Sequence, residues 1–131
     1  MQYLAPIGRV LYSAVFLVYC VRHFTPGTVA FATAQGVPFA AILVPLSGVI
    51  GILGAASIAL GYRAKQGAWL IVLFLVPVTI VMHRFWGVPD PMQAATQRAH
   101  FLKNLSLAGA ALLICYFTSV APDAWVLALR K

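Results

Sequence analysis

The sequence predicts an all-α membrane protein, an antiparallel bundle of four transmembrane helices. Three observations carry that prediction. The chain is 63% hydrophobic and only 8% charged, whereas soluble domains carry roughly 25% charged residues. Its mean hydropathy is +0.95. Its 131 residues divide into four apolar runs, each near the roughly 20 residues that cross a bilayer, with no room for a separate soluble domain.

The first span covers about residues 6–21, with Arg9 near its start and Arg22-His23 closing it. Ala32-Thr33-Ala34 imitates a signal-peptide cleavage site but lies too far beyond the apolar run, so the run reads as a retained helix. A turn-rich segment with Pro26-Gly27, Gly36 and Pro38 follows. The second span, 39–60, ends in a tight basic hairpin, Gly61 to Gly67, that holds Arg63 and Lys65. The third span, 68–82, contains Pro77 as a kink. The fourth covers 101–120, and a tail of 121–131 with Trp125 and Leu127 reads as an interfacial anchor whose helix Asp123 would cap. Backbone groups must pair internally in lipid, so the spans are helices. Short connections make sequential spans antiparallel neighbours.

Ser47, Gly48, Gly51, Gly54 and Ala55 recur at three- and four-residue spacing in the second span. Small residues so placed allow close backbone approach, either inside the monomer or across a homo-oligomer seam through Gly48, Gly51 and Gly54. The cysteines, Cys20 and Cys115, have no metal-type spacing and lie at different depths, so they are expected to be unbridged. The net charge of +7 comes from residues at span ends, where Lys and Arg reach toward headgroups. No basic patch is continuous enough for nucleic acid.

Polar chemistry gathers between His83 and Leu105, which hold two of the three histidines and three of the nine Lys/Arg residues. Span counting brings Arg22, His23, His83, Arg84, Trp86, Arg98, His100, Lys103 and Asn104 to one end of the bundle as a half-buried cationic mouth. Charge-assisted hydrogen bonds there suit a small oxyanion or a quinone carbonyl. Lys103 and Arg84 would stabilise negative charge on a reduced quinone, His83 or His100 would carry protons, and Phe85 and Trp86 would pack the ring. Polar groups one turn inside an apolar helix, as at Lys103 and Asn104, tend to be functional. Charged and aromatic residues at span ends also have an ordinary role as interface anchors. Abundant arginine and scarce carboxylate argue against a metal, and the histidines sit at the rim rather than on facing helices as haem ligands would. No covalently bound cofactor is expected. Asp90, between two prolines, reads as a turn residue. Tyr12, Ser13 and Tyr19 offer hydroxyls for interhelical bonds.

The segments His83-Arg84-Phe85-Trp86 and His100-Phe101-Leu102-Lys103-Asn104-Leu105 resemble the H-x-F-W and H-F-x-K-N-L segments of the DoxX family. Gly61 with Arg63 resembles its basic hairpin, and Gly8 to Leu11 and Phe16 to Val18 resemble its first span. The resemblance implies a four-helix bacterial inner-membrane protein associated with redox metabolism, with relatives in thiosulfate–quinone oxidoreductases and in complexes of oxidative-stress defence. Many relatives carry a lysine where this chain has His23 and a glutamate where it has Gly51. Both halves of that ion pair are replaced here, so chemistry that needs the carboxylate does not carry over.

Basic residues are nearly balanced between the two faces. Arg63, Lys65, Arg130 and Lys131 oppose Arg22, Arg84, Arg98 and Lys103. The compact basic hairpin places both termini in the cytoplasm. Two functions stay open: a subunit of a quinone-linked oxidoreductase that works with a redox partner protein, or a non-catalytic scaffold that docks a partner through its cationic face. A transporter would need an inverted repeat or a broken-helix pair.

Overall fold

The computed structural model describes residues 3–122. Trp125, Leu127, the Asp123 cap and the basic residues Arg130 and Lys131 lie outside the described residues. The elements run in order α1 (Leu4–Cys20), a 3-10 turn (Val21–Phe24), α2 (Pro26–Ala34), α3 (Ala40–Leu60), α4 (Ala64–Met82) and α5 (Pro91–Val120). The described residues are helical with no strand. Four helices, α1 with its 3-10 extension, α3, α4 and α5, are long and apolar enough to cross a membrane. The chain is a multi-pass membrane protein.

Packing follows the sequence order. α1 lies on α3, α3 on α4, and α4 on α5. The ring closes where the Tyr12 hydroxyl donates to the Leu107 carbonyl, 2.8 Å away. Lipid tails are as apolar as leucine, so burial alone does not drive helices together in a bilayer; close fit of small residues does. Ala55, Ala68 and Ala111 accordingly sit at 0% exposure beside Ile58 and Ile71. Large side chains such as Leu11, Val18, Leu53, Leu73 and Leu113 face outward.

Three glycines of α3 set the spacing. A Cβ at Gly54 would stand 2.8 Å from the Gly67 carbonyl, and one at Gly48 would stand 2.7 Å from the His23 Cβ. One at Gly51 would collide with the Cys20 sulfur. All three therefore face α1 or α4 of the same chain. Of the two roles open to these glycines, close packing inside the monomer is the one the contacts show.

Ser57 fixes the α3–α4 hairpin by donating to the Tyr62 carbonyl, with the Arg63 carbonyl 3.0 Å away. Gly61 closes α3 at φ 69°, a left-handed turn that suits glycine. Helix α4 continues through Pro77. Both cysteines are buried and free. Cys20 meets Gly51, whereas the Cys115 thiol points to the Lys65 carbonyl near the hairpin, 3.7 Å away. Arg9 is 2% exposed, and Ser13 is 0% exposed with no hydrogen bond to its hydroxyl among the described residues. Tyr19 faces outward.

Two elements depart from the sequence expectation. The turn-rich segment after the first span contains a nine-residue helix, α2, which Pro26 starts at a first-turn position. Helix α5 begins at Pro91, ten residues before the apolar run expected to start at 101. Asp90 is its N-cap as well as a turn residue: its carboxylate accepts from the Gln93 N–H at 3.0 Å.

Gly54→Ala is expected to cost about 1–3 kcal/mol by overpacking. Gly109→Ala, which meets nothing within 4 Å, should stay within about 0.5 kcal/mol of wild type. Thermal unfolding in detergent measures both, and equal effects would contradict the packing described. Asp90→Ala should cost about 1 kcal/mol of local helix stability, read as a severalfold faster hydrogen exchange at Gln93 and Ala94 with the rest of α5 unchanged.

Candidate functional site

The early start of α5 organises the polar end. From Pro91 onward, Gln93, Gln97, His100 and Asn104 are spaced i, i+4, i+7 and i+11, so they share one helical face. α4 stops at Met82, and its last carbonyls are met by the chain turning out: the His83 N–H donates to the Thr79 carbonyl at 3.2 Å. The His83 ring then faces α5. Its Nδ1–H donates to Gln97 Oε1 at 3.0 Å, and its centroid lies 5.2 Å from that of His100. Because the Gln97 oxygen is taken by His83, its amide N–H groups remain as donors.

Beside this pair opens a cleft of about 290 Å³. Gln35 contributes from the end of α2, Met82 and Arg84 from the end of α4, and Met92, Gln93, Thr96 and Gln97 from α5, with Val88 in the connecting loop. An Arg84 N–H donates to the Gln35 carbonyl across a long 3.4 Å contact, which ties α2 to the end of α4. The walls thus offer one guanidinium, several neutral amides and two thioethers. Such a set can donate to a carbonyl oxygen and cover a small ring.

The expected residues divide into groups. His83, Arg84 and His100 gather at this end, the first two through Gln97 and Gln35. Arg22, Arg98 and Lys103 are exposed and do not line the cleft. Trp86 is 53% exposed and packs edge-on with Phe85 and Phe101, at centroid distances of 5.3 and 6.0 Å. The aromatic residues expected to hold a ligand ring hold one another. Asn104 is 6% exposed, buried on the α5 face it shares with Gln97 and His100.

His23 lies elsewhere. Its Cβ abuts Gly48, and its ring centroid lies 5.5 Å from that of Phe74. Gly48 is eight residues inside α3 and Phe74 nine residues before His83, so His23 sits about 12 Å below the cleft at 1.5 Å rise per residue. The first span ends partway through the bundle, and α2 carries the chain on toward Arg84. Span counting alone had placed His23 level with the other histidines. It missed Gln35, Gln93 and Gln97 as well. The Asp90-Pro91 pair, an N-cap followed by a first-turn proline, was the signal that could have revealed the α5 face.

Among the described residues no group of three or more His, Cys, Asp or Glu side chains converges in a manner that could hold a metal ion. Of the known families, the DoxX model matches residues 4–84, from the start of α1 to just past the end of α4. Helix α5 and its His100–Leu105 segment fall outside that match. No curated protein and no solved structure matches the chain. The matched region covers more than half of the sequence and three of its four spanning helices, so the chain belongs to the DoxX family.

Proposed function

We propose that this protein is an inner-membrane subunit of redox metabolism that binds a quinone headgroup in the cleft between α2, the end of α4 and the first turns of α5. The observation that carries this reading is the composition of the walls. Arg84, Gln93 and Gln97 can donate to ring carbonyls, while Met82, Val88 and Met92 can cover the ring faces. A single cation among neutral amides suits a neutral carbonyl better than a small, highly charged oxyanion, which would call for more than one. The volume of about 290 Å³ is at the lower end of ligand sites, enough for one ring with its tail left in the lipid. His83 and His100 stand beside the cleft as proton carriers. Electrons would come from a redox partner protein.

In this reading the chain sits in the bacterial plasma membrane with the basic hairpin and both termini in the cytoplasm and the cleft facing outward. A second reading, a scaffold that docks a partner, is favoured by the exposure of Arg98 and Lys103 at the polar end of α5. Solvated cations at a rim act on partner choice more than on small-ligand affinity.

Titrating the purified protein with a short-chain quinone analogue tests the leading reading, with thermal shift and tryptophan fluorescence as readouts. Saturable binding at micromolar concentrations is expected. Gln97→Leu and Arg84→Ala should each weaken it about tenfold, the loss of one good hydrogen bond. Absence of saturation in wild type, or unchanged affinity in both variants, would contradict it. For the scaffold reading, Arg98→Ala with Lys103→Ala should release a stoichiometric partner in mild-detergent pull-down while quinone binding persists.

A further inference from the structure

We propose that the cleft holds both the oxidised and the reduced form of its ligand, because the His83–Gln97 pair can turn either a donor or an acceptor toward it. This rests on the quinone reading of the cleft and adds how one site suits two ligands of opposite hydrogen-bonding character. A quinone carbonyl only accepts, whereas a hydroquinone hydroxyl also has a proton to place. The Gln97 side chain belongs to both features: it lines the cleft, and its Oε1 lies 3.0 Å from His83 Nδ1. With the hydrogen on Nδ1, the ring donates to Oε1 and the amide N–H groups are left for the cleft. That arrangement suits the quinone.

The opposite arrangement fits the same space. When the His83 hydrogen moves to Nε2, Nδ1 becomes an acceptor, and the Gln97 amide turns over to donate to it. Oε1 then faces the cleft, where it accepts from a hydroquinone hydroxyl. The two ends of a carboxamide are nearly the same size, so the turn-over leaves the walls in place. His83 is half-buried, so water can carry the proton from one ring nitrogen to the other. His100, 5.2 Å away with its plane tilted by 32°, packs against the imidazole and keeps it on Gln97. Other polar groups of the walls do not switch in this way. Arg84 has no acceptor and donates in either state. Gln93 can offer either end of its amide, whereas the end that Gln97 offers is tied to which nitrogen of His83 holds the hydrogen.

The test uses protein carrying ¹⁵N-histidine in nanodiscs, at a pH above the usual imidazole range. Three probes are titrated: a short-chain quinone analogue, its hydroquinone kept anaerobic, and the dimethyl ether of that hydroquinone, which has no proton to donate. Quinone and hydroquinone should both saturate, with affinities within about tenfold of each other. The His83 ring should stay protonated on Nδ1 with the quinone and the ether, and become protonated on Nε2 with the hydroquinone. Gln97→Glu turns only acceptors toward the cleft, so it should weaken the quinone about tenfold and the hydroquinone little. Gln93→Leu should weaken both alike. The proposal is overturned if His83 keeps one tautomer with quinone and hydroquinone, if the ether acts as the hydroquinone does, or if Gln97→Glu weakens both ligands equally. Binding of the quinone alone would overturn it and leave the quinone reading standing, whereas binding of neither would overturn both. The wild-type tautomer comparison decides the matter even if a variant fails to fold.

Discussion

Close approach through the glycines of α3 is the constraint on which the rest depends. Gly54 crosses Gly67 backbone to backbone and fixes α4; Gly48 and Gly51 receive His23 and Cys20 and fix α1. Hydrocarbon provides no hydrophobic drive for helix association, so the fit of such surfaces decides where each helix stops sliding along its neighbour. With α1 held at this level, its end falls short of the α3 N-terminus, and a further short helix is needed to return the chain to the surface. α2 fills that role. Its last turn then meets Arg84 and becomes one wall of the cleft.

The same register governs the two positions where the family resemblance leads one to expect an ion pair. Where DoxX relatives are expected to carry a lysine and a glutamate, this chain has His23 and Gly51, and the structure places those positions on adjacent turns at the α1–α3 contact. The Cys20 sulfur occupies the space that a side chain at residue 51 would need. Ser47, one turn before Gly51, lies 2.9 Å from the His23 ring nitrogen. A neutral hydrogen bond thus stands where a buried charge pair would carry a heavy desolvation cost.

Hydropathy made the four spanning helices legible, and charge scarcity made the class legible. The convergence of His83, Arg84 and His100 followed from counting spans. Depth did not follow, because helix register depends on which glycine meets which side chain, and no one-dimensional spacing encodes that. His23 is the clearest case. Gln35, Gln93 and Gln97 escaped notice for another reason: neutral amides carry no charge to count, and these three lie in polar stretches between the apolar runs. Their shared face appears only once α5 is known to begin at Pro91. Local signals for α2 and for the start of α5 were present in Thr25-Pro26 and Asp90-Pro91, but the search for apolar runs passed over them.

The central claim is that α1 ends well short of the polar end of the bundle, with Cys20 at Gly51 and His23 at Gly48, which separates His23 from that end. Spin labels on single introduced cysteines measure this directly by their depth in a bilayer. Val21 and Trp86 are both exposed, while the native Cys20 and Cys115 are buried. A label at Val21→Cys should lie about 10 Å or more deeper than one at Trp86→Cys, from the register and the helical rise. Equal depths would contradict the account, because they would return His23 to the surface beside His83 and His100.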